Sequence, residues 1–270
     1  MARSDLYAAD HHWGDAVIDT GAHDLPALKA GYLLRALPRE GRVLEIGCGG
    51  GRLLNTVAAH RPDLRLDGCD IRPLGYTPTS FEFTLVDPDA PDLPYQPGTF
   101  DSVILYDVLE HVWDPRAMIK AAHRATPQGG QLVSFTPLEG QARSMYRLYR
   151  RLFGDDLYVE TKEHVQAFSE AELRAIVETS YTIRHVEFAY HYFGQLMDAT
   201  LFALLKIPLL RSRFWDTNPY YRETRSASES TDSSLGSALR AANAIAYTES
   251  RMLRRARAGA AGMLFTASAD

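Results

Sequence analysis

The chain has 270 residues, enough for one large α/β domain with an insertion or for two small domains. Apolar residues make up 46% and charged residues 23%, which argues for a packed core and against disorder throughout. A formal net charge of −5 excludes a chain-wide basic footprint for nucleic acid, and two cysteines, Cys48 and Cys69, are too few for a disulfide framework.

The first 24 residues are polar with scattered aromatics and lack the apolar core of a signal peptide. Residues 25–37 read as a helix, with Leu28, Tyr32, Leu33, Leu34 and Leu37 near helical spacing and Pro38 and Gly41 at its end. Strands and helices then alternate. Residues 42–46 are a short apolar run closed by glycines, and 51–60 a helix stopped near Pro62. A second strand over 64–69 ends in Asp70, and FEFTLV over 81–86 makes a third. The run DSVILY over 101–106 is nearly all apolar, as a strand covered on both faces is. A helix over 115–125, a fifth strand over 131–136, a capping-box helix over 169–179 and a sixth strand over 182–190 follow. The order predicts a parallel sheet with helices on both faces.

Residues 137–168 are an insertion rich in Tyr and Arg. After 190 the alternation stops: an apolar helix over 192–205, a serine-rich loop over 224–237, an amphipathic helix over 239–257 and a last strand over 262–267. The helix over 239–257 gathers Arg251, Arg254, Arg255 and Arg257 at its carboxyl end, where cations suit the dipole. The longest apolar stretch, 201–210, contains Lys206 and Pro208 and is too short to span a bilayer. We divide the chain into an N-terminal helical cover (1–40), a core (41–190, with its insertion), a helical insertion or lid (191–258) and a final core strand (259–270).

Four motifs carry chemistry. Val43-Leu44-Glu45-Ile46 runs into Gly47-Cys48-Gly49-Gly50-Gly51, a strand, a tight turn and a helix that let a cofactor approach the backbone. Glu45 suits an ammonium and would repel a pyrophosphate, which separates this turn from a dinucleotide site. Asp70, about 20 residues past the glycines, suits ribose hydroxyls, a feature nicotinamide enzymes share. Asp89 follows the third strand in a proline-rich loop and suits the adenine amino group, with Asp87 a rival for the role. Tyr106-Asp107-Val108-Leu109-Glu110-His111-Val112 lies at the carboxyl end of a parallel strand, where open α/β sheets bind ligands.

Across residues 40–137 the sequence resembles class I S-adenosylmethionine methyltransferases, especially the group that includes the ubiquinone-biosynthesis O-methyltransferases. The segments are VLEIGCGGGRLL, CDIRP, DAPDLPYQPGTFDSVILYDVLEHVWDP and PQGGQLVSFTP, in the family's order and spacing. The resemblance implies a Rossmann-like, mostly parallel seven-stranded sheet whose last strand is antiparallel and inserted beside the sixth. It implies S-adenosyl-L-methionine as cofactor. Glu45 then meets the methionine amino group, and Gly47, Gly49 and Gly51 line the donor. Asp70 takes the ribose, Ile71 packs on adenine, Asp89 and Ala90 read its edge, and Tyr106 sits beside the methionine portion. The 191–258 insertion is a departure from a minimal family member.

Methyl transfer from a sulfonium is an in-line displacement that needs positioning, plus a general base when the acceptor is a hydroxyl. His111 and His164 are the leading candidates, with Glu110 and Asp107 behind them. His11 and His12 have no acidic or cysteine partner at ligand spacing, so no metal is expected. Aromatics in the insertions, among them Tyr146, Tyr149, Tyr158, Phe193, Trp215 and Tyr221, predict apolar walls for a small acceptor such as a prenyl, quinone, polyketide or lipid-like molecule. The alternatives are a protein that binds S-adenosylmethionine without transferring methyl, a sugar- or amine-methylating enzyme, and, more remotely, a nicotinamide oxidoreductase. A homodimer and a peripheral membrane contact through residues 191–258, near Lys206, Arg211 and Arg213, stay open, with a cytoplasmic setting expected.

Overall fold

The computed structural model describes residues 14–90, 92–154, 164–204 and 234–270. Helix α1 (Leu25–Ala36) starts where Asp24 Oδ1 accepts from the Ala27 N–H at 2.8 Å, with a proline in its first turn. The chain then builds one seven-stranded sheet in the order β3-β2-β1-β4-β5-β7-β6. Strand β1 (Gly41–Ile46) lies between β2 (Leu64–Asp70) and β4 (Ser102–Tyr106), parallel to both. Strand β3 (Glu82–Leu85) extends the sheet beyond β2, and β5 (Gln131–Pro137) extends it beyond β4, again in parallel. Strand β7 (Gly262–Ser268) enters antiparallel between β5 and β6 (Thr182–Ala189). The fold is therefore the expected Rossmann-like one, and the chain reverses direction across the sheet between β1 and β4.

Side chains of β4 alternate between two cores. Val103 and Leu105 join Leu44, Ile119 and Phe265 on one face. Ile104 and Tyr106 join Val43, Leu33 and Leu54 on the other. All five residues of β4 are buried, which is why its sequence is apolar without alternation. Helix α2 (Arg52–His60) covers the second face with α1. Helices α3 (Pro115–Ala125) and α5 (Glu170–Val177) cover the first. Each fully buried leucine contributes about 1.5–3 kcal/mol by leaving water.

The two insertions are helical. Helix α4 (Met145–Phe153) follows β5, with Ser144 accepting from the Arg147 N–H at 3.1 Å. Helices α6 (Tyr192–Leu204) and α7 (Ser234–Met252) pack on each other, α6 also on α4, and α7 also on α1. Glu249 of α7 caps α6 from outside its own helix, accepting from the N–H groups of Phe193 and Gly194 at 3.0 and 3.2 Å.

Three expectations are corrected. The last helix ends at Met252, so only Arg251 stands in its final turn. Arg254 and Arg257 lie beyond it: the Arg254 carbonyl accepts from Phe188 N–H at 2.7 Å, and the Arg257 guanidinium pairs with Glu170. The third strand is four residues long, because it is an edge paired only with β2. The serine-rich stretch lies outside the described residues up to 233, and from Ser234 it belongs to α7. His11, His12, Tyr158, Lys206, Arg211, Arg213, Trp215 and Tyr221 also lie outside them. No helix among the described residues is long and apolar enough to cross a membrane.

Candidate functional site

The site begins at the carboxyl end of β1, next to the point where the sheet reverses. Gly47, Gly49 and Gly51 all take left-handed φ values (73°, 53° and 80°), which side chains other than glycine rarely adopt. A Cβ on Gly51 would stand 2.4 Å from Phe81 Cζ, so the turn could not close with any other residue. The Gly47 and Cys48 N–H groups donate to the Cys69 carbonyl at 2.8 and 3.1 Å, docking the turn on the end of β2. The Asp70 carboxylate accepts from Gly49 N–H at 2.8 Å and from Arg72 N–H at 3.0 Å. Asp70 thus ties the two strand ends together and keeps lone pairs for further donors.

Glu45 is only 3% exposed, and its Oε2 has no hydrogen-bond partner. Burial first, then the negative charges of Asp70 and Asp107, push its carboxyl well above the usual carboxylate range. A buried carboxyl without a donor costs free energy, and a cationic amine arriving beside it removes that cost. The glycine turn, the orphaned carboxyl and Asp70 therefore fit an adenosyl amino acid.

The other expected donor residues are placed less simply. Ile71 is half-buried beside the turn. Asp89 and Ala90 stand exposed on the loop after β3. Their N–H groups donate to Asp87, at 2.9 Å to the side chain and 3.1 Å to the carbonyl, so the Ala90 N–H is already engaged. Tyr106 is buried, and its hydroxyl donates to the Lys29 carbonyl at 3.3 Å, anchoring α1. Burial pushes that phenol far above its ordinary range. Burial likewise raises both thiols, that of Cys69 to about 12, as small structural cysteines require.

Lys29 was not singled out from sequence. Its ammonium lies 2.6 Å from Asp107 Oδ2 and 3.8 Å above the Phe135 ring. Asp107 itself holds a left-handed φ of 52°, at the end of β4 where the chain leaves the sheet. The signal was present: Lys29 falls four residues after Leu25 and three before Tyr32, on the buried stripe of α1.

The two candidate histidines, far apart in sequence, are brought together. Their rings meet edge to face with centroids 4.8 Å apart. His111 Nε2 is 4.0 Å from Glu110 Oε1, and His164 Nδ1 is 3.1 Å from Glu139 Oε2. That last pair is close but not aligned as a hydrogen bond. Glu110 is 1% exposed with neither oxygen hydrogen-bonded, and burial, then Asp107, pushes its carboxyl well above the usual range. Donor atoms of Glu110, His111 and His164 lie within 4.8 Å of one another. Linear spacing could not reveal this set, because the fold assembles it from separate loops.

Relatives carry the same core. Over 147 residues the chain is 28% identical to the ubiquinone biosynthesis O-methyltransferase of Paracidovorax citrulli, spanning 50% of this chain and 60% of that protein. It is 34% identical over 123 residues to the enzyme of the same name from Xanthomonas oryzae, spanning 42% and 51%. The chain thus matches less than two thirds of either relative's length. Among solved structures it is similar to the [4+2]-cyclase SpnF, with a TM-score of 0.56, 16% identity, and coverage of 98% of this chain and 89% of that one. It is also similar to the Haemonchus contortus phosphoethanolamine N-methyltransferase 2 bound to S-adenosyl-L-methionine, with a TM-score of 0.52, 16% identity, and coverage of 90% and 52%. Both likenesses concern the fold alone. A methyltransferase-domain family model matches residues 22–180, more than half of the chain, and the chain belongs to the class I S-adenosylmethionine-dependent methyltransferases.

Proposed function

We propose that the chain methylates a hydroxyl on a small, largely apolar acceptor, with a quinone-like phenol the first class to try. The carrying observation is the pair of imidazoles backed by buried carboxyls, with His111 on the loop after β4 whose Val108 packs against Gly47 of the glycine turn. S-adenosylmethionine supplies an electrophilic methyl when bound. Glu45 receives its ammonium, and Asp70 the ribose hydroxyls. Lys29, held by Asp107 over the Phe135 ring, receives the amino-acid carboxylate. A hydroxyl acceptor must lose its proton as the new bond forms, and His164 or His111 takes it. A free amine, which attacks through its own lone pair, does not need such a base. Apolar walls come from Tyr146 and Tyr149, which cluster with Ala261 against Tyr190 and Ala199. The names of the O-methyltransferase relatives favour the same acceptor class.

Calorimetric titration with S-adenosylmethionine, its demethylated product and NAD tests the donor half. The expected result is binding of the first two and none of NAD. Methyl-labelled donor with a panel of alkyl catechols, sugars and amines tests the other half. Labelling confined to sugars or amines overturns the acceptor reading. Donor binding with no labelling of any acceptor favours a binding protein that transfers no methyl.

A further inference from the structure

Glu139 belongs to none of the sequence motifs, yet it is 3% exposed and three chain segments converge on it. After β5 the chain turns, with Gln141 N–H donating to the Leu138 carbonyl at 3.1 Å and Gly140 N–H to the Phe168 carbonyl at 3.0 Å. A Cβ on Gly140 would stand 2.3 Å from the Ala167 carbonyl oxygen, so only glycine permits this approach. Ser144 Oγ donates to the Glu139 carbonyl at 3.2 Å. The facing segment is fixed in turn: Val165 and Gln166 N–H groups donate to the Glu110 carbonyl at 2.9 and 3.0 Å. The Gln166 side chain donates to the Val112 and Trp113 carbonyls, both at 3.3 Å. The loops after β4 and β5 and residues 164–168 are thus locked together by backbone contacts. The Glu139 carboxylate is thereby set 3.1 Å from His164 Nδ1, within reach of a hydrogen bond though not aligned as one, and the His111 ring edge-to-face against His164.

We propose that Glu139 is a positioning residue for proton transfer: it keeps the proton of His164 on Nδ1, so that Nε2 takes the acceptor's proton and His111 passes it toward solvent. A neutral imidazole carries one proton on either nitrogen, and an acceptor beside Nδ1 selects which. A carboxylate at Nδ1 also stabilises the imidazolium that forms when Nε2 is protonated. Among the described residues, the groups facing His164 are Glu139 from the β5 turn and Glu110 and His111 from the β4 loop, while Lys29 and Asp107 act on Glu110. As the acceptor oxygen bonds to the methyl carbon, the carbon–sulfur bond breaks and its electron pair stays on sulfur. The acceptor's proton goes to His164 Nε2, so the donor's positive charge leaves as a proton. His111, whose side chain is 26% exposed, is the route from there to water. The inference rests on the hydroxyl-methylating reading above.

Nitrogen-15 NMR of histidine-labelled full-length protein, with His164→Gln to assign the signal, reads the tautomer without any acceptor. We expect Nδ1–H at His164 in the wild type, and its loss in Glu139→Gln. With an alkyl catechol as probe, Glu139→Gln lowers kcat by about 10- to 100-fold at unchanged KM and donor affinity, and Glu139→Asp recovers part of the loss. A wild-type His164 protonated on Nε2, or an unchanged tautomer and kcat in Glu139→Gln, overturns the proposal. The two levels separate: wild-type turnover in His164→Gln sinks the base itself. Lost turnover in His164→Gln with a normal Glu139→Gln sinks only the role of Glu139. Activity abolished by a chelator and restored by a divalent cation also overturns it, since the imidazoles then serve the cation.

Discussion

Glu45 is a residue whose cost in the free protein is its usefulness in the complex. Its folded pKa is raised above the ordinary value of about 4.3, so the folded state binds more protons than the unfolded one between the two values. Its contribution therefore turns unfavourable as pH rises from about 4 through the folded pKa. Glu45→Gln removes that penalty. The melting temperature of the variant gains on the wild type as pH rises from 4 toward neutral, while calorimetry shows donor affinity at least about tenfold weaker, roughly 1.4 kcal/mol. A variant that binds donor as tightly as the wild type removes Glu45 from the site. Lys29→Ala is expected to weaken donor binding several-fold, and the loss to shrink with a donor analogue whose carboxylate is amidated. Among the histidines, His111→Ala lowers turnover at little change in donor affinity. Normal turnover in that variant excludes His111 from proton transfer.

Local sequence writes the helix starts, and at this level single substitutions have readable costs. Ser169 Oγ accepts from the Glu172 N–H, while the Glu172 carboxylate accepts from the Ser169 hydroxyl and from the Ser169 N–H, and these last two bonds hold the Glu172 carboxyl below its usual range. Ser169→Ala is expected to cost about 1 kcal/mol by urea unfolding. An unchanged midpoint would mean that α5 is held by its buried Leu173, Ile176 and Val177 without help from the cap. Helix α6 differs, because its cap comes from Glu249, many residues later in the chain. No reading of residues 191–194 could have found it. Glu249→Gln removes the charge but not the shape, so loss of stability without loss of donor binding places its role in the insertion rather than in the donor site.

For the molecule as a whole, the donor binds the folded chain and not the unfolded one, so it stabilises by mass action. At a hundred times Kd that amounts to about 2.7 kcal/mol, read as a shift in the urea midpoint. Glu45→Gln and Asp70→Ala reduce the shift at the same donor concentration, while Ser169→Ala lowers the midpoint and leaves the shift intact.

The sequence by itself determined the alternating core, the glycine turn with Glu45 ahead of it, Asp70 at the end of β2, and the family. These are local patterns: apolar runs of strand length, left-handed turns that require glycine, and carboxylates at strand ends. It also named both histidines, though without placing them together. Tertiary structure decided the rest. It set Lys29 against Asp107 and Phe135, engaged the Ala90 N–H, gave the Tyr106 hydroxyl to α1, and closed Glu139 onto His164. The physical reason is common to these cases. A side chain's task depends on which other segment approaches it and on how much water is excluded, and that is fixed only when strands distant in sequence are laid side by side.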